Sequence, residues 1–180
     1  MAKVSVLIPT YNTKEEWLKE SIQSILGQTS QDFEIIVLDD GSDNNLDAVI
    51  KSFNDDRIKF YQNEENLGVG KTRNKLIELA TGEYIAFQDS DDISFPTRLE
   101  KQVRFLDENT EFSGVSAWLE TFPYKKVLKN KPEPKILDFI GGCGFSQPCS
   151  MLRVADIKKY NLKYDDALST SEDYDLWSRC

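Results

Sequence analysis

The chain has 180 residues, the length of one domain with one core, and its 39% hydrophobic and 11% aromatic content excludes a disordered chain. Its formal charge of −9 repels phosphate backbones and anionic lipid, which sets nucleic acid aside as a partner. With no histidine at all, it cannot run a Ser-His-Asp or Cys-His mechanism or offer imidazole to a metal, so carboxylates are left as the acids, bases and metal ligands.

Cys143, Cys149 and Cys180 are odd in number and lack C-x-x-C spacing, against both a zinc site and a disulfide framework. A reducing cytosol follows. No apolar run approaches the roughly 18 residues of a membrane span, and the start leads into a strand rather than a signal peptide. The segment therefore reads as cytoplasmic, with peripheral docking at the inner face of a membrane left to residues outside it.

Val4-Ser5-Val6-Leu7-Ile8 is short, β-branched and apolar and runs into Pro9, the pattern of a buried strand. Thr13 with Glu16 forms a capping-box pattern, and Trp17, Leu18, Ser21, Ile22, Ile25 and Leu26 recur at helical spacing up to Gly27. Residues 33–38 predict a second strand, 46–53 a helix, 58–61 a third strand, 71–80 a helix closed by Gly82, and 83–87 a fourth strand. Strands alternating with helices predict an α/β fold with a mostly parallel central sheet, because parallel neighbours need long crossovers. Pro96 opens a predicted helix through Leu106, and 112–119 predicts a strand. Residues 125–135 are basic, proline-bearing and predicted to be exposed, and Gly141-Gly142-Cys143-Gly144 reads as a connector.

Asp89, Asp91 and Asp92 are three carboxylates within four residues, directly after a buried strand. Crowded carboxylates repel one another unless a cation sits among them, and oxygen ligands suit Mg²⁺ or Mn²⁺. A solvated acidic turn before the next helix explains the cluster equally well. Asp39-Asp40-Gly41-Ser42-Asp43 has the same placement, and turn chemistry alone accounts for it. The coincidence matters more: in open α/β sheets, ligands gather at the carboxyl ends of adjacent strands. Gly70-Lys71-Thr72 ends a phosphate-loop pattern, but Glu65 stands where its first glycine belongs. Lys71 and Arg73 read either as ordinary helix-surface cations or as partners of a diphosphate. Ser171 caps a predicted helix with Glu172 and Asp173 in its first turn.

In order, Val4-Ser5-Val6-Leu7-Ile8-Pro9-Thr10-Tyr11-Asn12, Ser24-Ile25-Leu26-Gly27-Gln28-Thr29, Asp39-Asp40-Gly41-Ser42-Asp43, Asn66-Leu67-Gly68 with Arg73-Asn74, Asp89-Ser90-Asp91-Asp92 and Glu172-Asp173-Tyr174-Asp175-Leu176-Trp177 resemble the family 2 glycosyltransferases of GT-A fold. The nucleotide-binding half is similar to that of the spore-coat polysaccharide member. The resemblance implies one catalytic domain over residues 1–180, with a nucleotide-sugar-binding half at 1–92 and the start of an acceptor-side half at 93–180. Thr10, Tyr11 and Asp40 would hold the nucleobase with Asp39 nearby, and Arg73 would lie beside the nucleotide. Asp89-Ser90-Asp91 would be the D-x-D motif: Asp91 would bind Mn²⁺ or Mg²⁺, and Asp89 would contact ribose or water on the metal. Asp92 could replace Asp91. Asp173 would deprotonate the acceptor hydroxyl.

The implied activity is inverting transfer from a nucleotide-sugar, a UDP-sugar, to a glycan or lipid-linked acceptor in surface polysaccharide synthesis. Two departures stand out. Thr72 replaces the alanine often found before the arginine, and the chain stops at Cys180, within the helix that begins near Asp173. Family members continue into acceptor-binding elements, so the resemblance implies a C-terminally truncated domain. A nucleotide-sugar-binding module without catalysis is the alternative. A sugar-1-phosphate nucleotidylyltransferase would need a glycine-rich basic loop where Pro9-Thr10-Tyr11-Asn12 stands.

Overall fold

A computed structural model describes residues 2–130 and 145–179. The elements run β1 (Val4–Thr10), α1 (Glu15–Leu26), β2 (Phe33–Asp39), α2 (Asp47–Lys51), β3 (Ile58–Gln62), α3 (Val69–Leu79), β4 (Tyr84–Phe87) and α4 (Arg98–Glu108). Then come three short strands, β5 (Gly114–Ser116), β6 (Leu119–Thr121) and β7 (Lys126–Leu128), followed by β8 (Ser150–Arg153), α5 (Val154–Lys159) and α6 (Glu172–Ser178). The central sheet has the order β3-β2-β1-β4-β8-β5. β3, β2, β1 and β4 are parallel; β8 runs antiparallel to β4 and to β5. The expected α/β, mostly parallel architecture is what forms.

Successive side chains of a strand point to opposite faces, and β1 shows what that does. Val4, Val6 and Ile8 pack on one face with Leu18, Ile22 and Ile25 of α1 and Leu99 and Leu106 of α4. Leu7 packs on the other with Leu76 of α3, Ile157 of α5 and Leu176 and Trp177 of α6. Both faces of the sheet are covered, so the parallel strands read as continuous apolar runs.

Several local expectations are corrected. Thr13 does not cap α1: its Oγ1 lies 2.8 Å from Ser90 Oγ, and Lys14 occupies the cap position without a side-chain bond. Trp17 is half exposed and not a core residue, with the Lys14 ammonium over its ring. α4 begins at Arg98, two residues after Pro96, because the Pro96 carbonyl is turned to accept from the Thr29 amide at 2.8 Å. The strand expected over 112–119 is two pieces, β5 in the central sheet and β6 paired antiparallel with β7 in a separate hairpin. β7, in the basic stretch, is exposed as expected, while Leu119 and Thr121 of β6 are half-buried. Residues 131–135, the 141–144 connector, Cys143 and Cys180 lie outside the described residues.

At the amino end of the sheet, Glu34 is 5% exposed and ties four segments together. One carboxylate oxygen accepts from Ser5 Oγ at 2.6 Å and from the Thr81 amide and hydroxyl at 2.9 and 2.7 Å; the other accepts from Lys59 Nζ at 2.6 Å. Burial pushes its pKa up, but Lys59, Ser5 and Thr81 together outweigh burial and bring it from 4.5 to about 2. A folded pKa below the unfolded value stabilises the protein above the unfolded pKa, and that stability is lost as pH falls through the window from 4.5 to about 2. Glu34→Gln is expected to lose about 1–3 kcal/mol at neutral pH. It should also flatten the wild-type fall in urea midpoint over that acidic window, measured by circular dichroism.

Candidate active site

The carboxyl ends of β2, β1 and β4 lie side by side, and the loops that leave them build a cleft of about 390 Å³. Thr10, Tyr11, Asp40, Arg73, Asp89 and Asp91 all line it, so residues drawn from four stretches of sequence converge. Thr10 and Thr72 are both fully buried residues of its wall, and neither hydroxyl has a partner in the protein among the described residues. Buried polar atoms are seldom left unpaired, so these two point to polar contacts that the protein alone does not complete. Tyr11 stands half exposed at the rim.

The two aspartates at the end of β2 have different partners. Asp40 takes Asn63 Nδ2 at 2.7 Å and the Leu67 amide at 3.0 Å on one oxygen, and the Gly68 amide at 2.9 Å on the other. This carboxylate already occupies the amides ahead of α3, which leaves no cradle there for a phosphate. The phosphate-loop pattern is therefore without structural support. Asp39 is buried outside the cleft lining, with its oxygens held by Ser42 Oγ and by Gln62 Nε2 at 3.0 Å. Gly41 sits at φ +75, and a Cβ there would fall 2.7 Å from the Glu65 carbonyl carbon, so only glycine lets the 39–43 and 64–66 loops approach.

Arg73 is no surface cation. It is buried, with Nη1 at 2.7 Å from Glu172 Oε1 and Nη2 at 3.5 Å from Asp89 Oδ1. Lys71, two residues earlier on α3, is exposed. Neighbouring Asn74 pairs with Tyr164 through both its amide groups, at 2.9 Å each. α3 thereby carries the segment that leads into α6 and places Asp173 near the acidic loop. Ser171, expected to cap α6, takes a left-handed φ of 60 and makes no cap bond. Asp173 Oδ1 accepts instead from the Tyr174 amide at 2.7 Å.

The Asp89 pKa is raised, first by burial, then by Asp91 and Asp173, with Arg73 pulling the other way. Asp92 is pushed up to about 6 by burial and by its Asp89 and Asp91 neighbours, against Arg98. A divalent cation would relieve this stress, and Asp89 and Asp91 share the cleft wall whereas Asp92 does not line it. Among the described residues no three carboxylate or thiol side chains converge as a closed metal cage. Asp89 and Asp91 are the hard-oxygen carboxylates that the acidic loop brings to the cleft wall.

Sequence reading missed Arg98. Its guanidinium is buried beneath the acidic loop, bonded to Gln88 Oε1 at 2.8 Å, Ser94 Oγ at 2.9 Å, the Phe87 carbonyl at 2.6 Å and Gln102 Oε1 at 3.1 Å. Gln88 Nε2 in turn donates to the Asp92 carbonyl at 2.7 Å, so this network holds the loop's backbone. Nothing in the local pattern marks it; the one hint is an arginine and a glutamine a helical turn apart on the apolar side of α4. Arg98→Met takes the charged donor from the Phe87 and Ser150 carbonyls and leaves Gln88 Oε1 with Ser94 Oγ alone, and is expected to cost about 3–5 kcal/mol summed over those acceptors. Thermal unfolding should show it as a fall in Tm on the order of 10 °C.

Residues 5–160 match the sequence profile described as Glycosyl transferase family 2. The chain belongs to that family. An uncharacterized glycosyltransferase of Methanocaldococcus jannaschii is 42% identical over 98% of this chain, which spans 64% of that relative. The Escherichia coli UDP-Glc:alpha-D-GlcNAc-diphosphoundecaprenol beta-1,3-glucosyltransferase WfaP is 31% identical over 98% of this chain and 69% of its own length. Among solved structures, Staphylococcus aureus TarS in complex with UDP aligns at a TM-score of 0.83 and 29% identity, over 97% of this chain and 54% of TarS. TarS has also been solved in complex with UDP-GlcNAc, with a TM-score of 0.84 to this chain. The family and GT-A fold expected from the motifs are those found.

Proposed function

We propose that this chain is the donor-binding portion of an inverting, divalent-metal-dependent glycosyltransferase that takes a UDP-sugar and passes the sugar to a hydroxyl of a glycan or lipid-linked acceptor. The carrying observation is the cleft at the carboxyl ends of β1 and β4, where Arg73 and two aspartates meet the unpartnered Thr10 hydroxyl. The UDP and UDP-GlcNAc complexes of TarS and the donor in the name of WfaP support the choice of UDP.

Thr10, Tyr11 and Asp40 receive the nucleobase, with Asp39 nearby. Arg73, fixed by Glu172, offsets negative charge at the nucleotide, and Asp89 meets the ribose or the ion. Asp89 and Asp91 would hold Mn²⁺ or Mg²⁺, which when bound neutralises charge on the departing diphosphate. Asp173 takes the proton from the acceptor hydroxyl; its Oδ1 is tied to the helix, and Oδ2 has no partner among the described residues. With no histidine in the chain, a carboxylate is the fitting base.

Among the described residues no helix is long and apolar enough to cross a membrane. A cytoplasmic place at the inner face of a membrane suits a lipid-linked acceptor. Calorimetric titration of UDP, GDP and ADP, each with and without Mn²⁺, tests the reading. Manganese-dependent binding that prefers UDP supports it, and a folded protein that binds none of the three nucleotides rules it out.

A further inference from the structure

We infer that the β6–β7 hairpin is a docking surface for an anionic bilayer, seating the donor cleft beside lipid-linked acceptor. The inference rests on the proposed lipid-linked acceptor for its purpose, but on the hairpin's own chemistry for its content. Phe122 and Tyr124 in the hairpin turn are 85% and 86% exposed, and Trp118 at its base is 57% exposed. Lys125, Lys126 and Lys129 are exposed beside them, against the single acid Glu120, and Lys129 Nζ sits over the Trp118 ring at 4.8 Å from its centroid. Exposed aromatics interleaved with lysine are the composition of segments that lie at the boundary of headgroups and acyl chains.

The charge argument is one of contrast. The chain as a whole carries −9 and repels an anionic surface, so attraction requires a locally basic patch. A Debye length of about 8 Å at physiological ionic strength weakens the repulsion from every acid farther than that from the bilayer, while the hairpin lysines touch the headgroups.

Placement supplies the second argument. β5 pairs with β8 so that Ser116 lies opposite Ser150, and β8 pairs with β4 so that Met151 lies opposite Ala86. The chain therefore leaves β5 for the hairpin at the same end of the sheet where β4 delivers the acidic loop. Asn130 pins the hairpin base there, donating to Ser116 Oγ at 2.9 Å and the Ala117 carbonyl at 2.7 Å and accepting from Ser146 Oγ at 2.8 Å. A surface that seats the hairpin thus lies at the cleft end of the molecule. The acceptor named for WfaP, a diphosphoundecaprenol, is a lipid of that kind of surface.

The test is co-sedimentation of the 180-residue chain with vesicles of phosphatidylcholine alone and of phosphatidylcholine mixed with phosphatidylglycerol, alongside light scattering and UDP titration. Wild type is expected to bind the mixed vesicles, less so as salt rises, and to leave pure phosphatidylcholine in solution. Replacing Lys125, Lys126 and Lys129 together by Glu should reduce partitioning on the order of 100-fold or more, each lysine near the surface being worth about fivefold. Phe122→Ser with Tyr124→Ser should reduce it on the order of tenfold or more. Both variants should keep the wild-type Kd for UDP, which shows that they fold.

Wild type that ignores mixed vesicles, or variants that bind them as wild type does, overturns the docking surface. So does a dimer that disappears in the Phe122 and Tyr124 variant without any vesicle binding, since the aromatics then cover a second copy. Vesicle binding by a chain that binds no UDP would instead sink the glycosyltransferase reading and leave the docking surface standing.

Discussion

Asp173→Asn is expected to lower kcat for sugar transfer by a factor on the order of 10²–10⁴, the range for a positioned general base, while leaving the Kd for UDP unchanged. The amide keeps an acceptor for the Tyr174 amide that now bonds Asp173 Oδ1 at 2.7 Å, so the first turn of α6 should stay in place. What it loses is the ability to take a proton. Steady-state transfer to a hydroxyl acceptor, with calorimetry on the same preparation, separates the two quantities. Equal kcat in both proteins would move the base elsewhere. Wild type that binds UDP and turns over no donor with any acceptor would favour a binding module over a catalyst.

Asp91→Asn carries the second large effect. Asp91 and Asp89 are the acidic-loop carboxylates that line the cleft, and Asp91 is the more exposed residue of the two. Removing its charge should erase the manganese-dependent part of UDP binding, on the order of 100-fold in affinity for a charged ligand worth about 3 kcal/mol. Metal-free UDP binding should stay as in wild type, because Thr10, Tyr11 and Asp40 are untouched. Asp92→Asn serves as the counterpart: Asp92 does not line the cleft, so its substitution should spare the manganese effect. If Asp92→Asn abolished the manganese effect and Asp91→Asn did not, the metal ligand would be the later member of the pair.

The Arg73–Glu172 pair explains why these two effects should be separable. It joins residues 99 positions apart at 2.7 Å, with both side chains buried. Asp173, next in sequence to Glu172, is thereby anchored to α3 through a guanidinium whose other nitrogen lies 3.5 Å from Asp89, while Asp91 takes no part in that anchor. Neutralising one acidic site therefore leaves the backbone that carries the other in place.

What the sequence determined by itself is whatever depends on neighbours a few residues away. The β-branched runs at 4–8 and 33–38 and the period of α1 mark strands and helices, and acidic turns after β2 and β4 mark where a ligand would gather. The ordered motifs, ending with Glu172 and Asp173, carried the resemblance to the family, and they lie at the ends of strands and helices or in the loops between them. Tertiary structure alone decided which of several chemically equal groups does which work. Asp39 and Asp40 are adjacent and alike in sequence, yet one is turned to Ser42 and Gln62 and the other to the amides ahead of α3. Thr13 abandons a capping box for Ser90, Arg98 becomes a buried support of the acidic loop, and β8 enters between β4 and β5 against the parallel rule. The physical reason is common to all of them. Local propensities differ by less than a few kcal/mol, so a hydrogen bond or buried face supplied by a distant segment overrides them, and the partner is known only once the sheet order is.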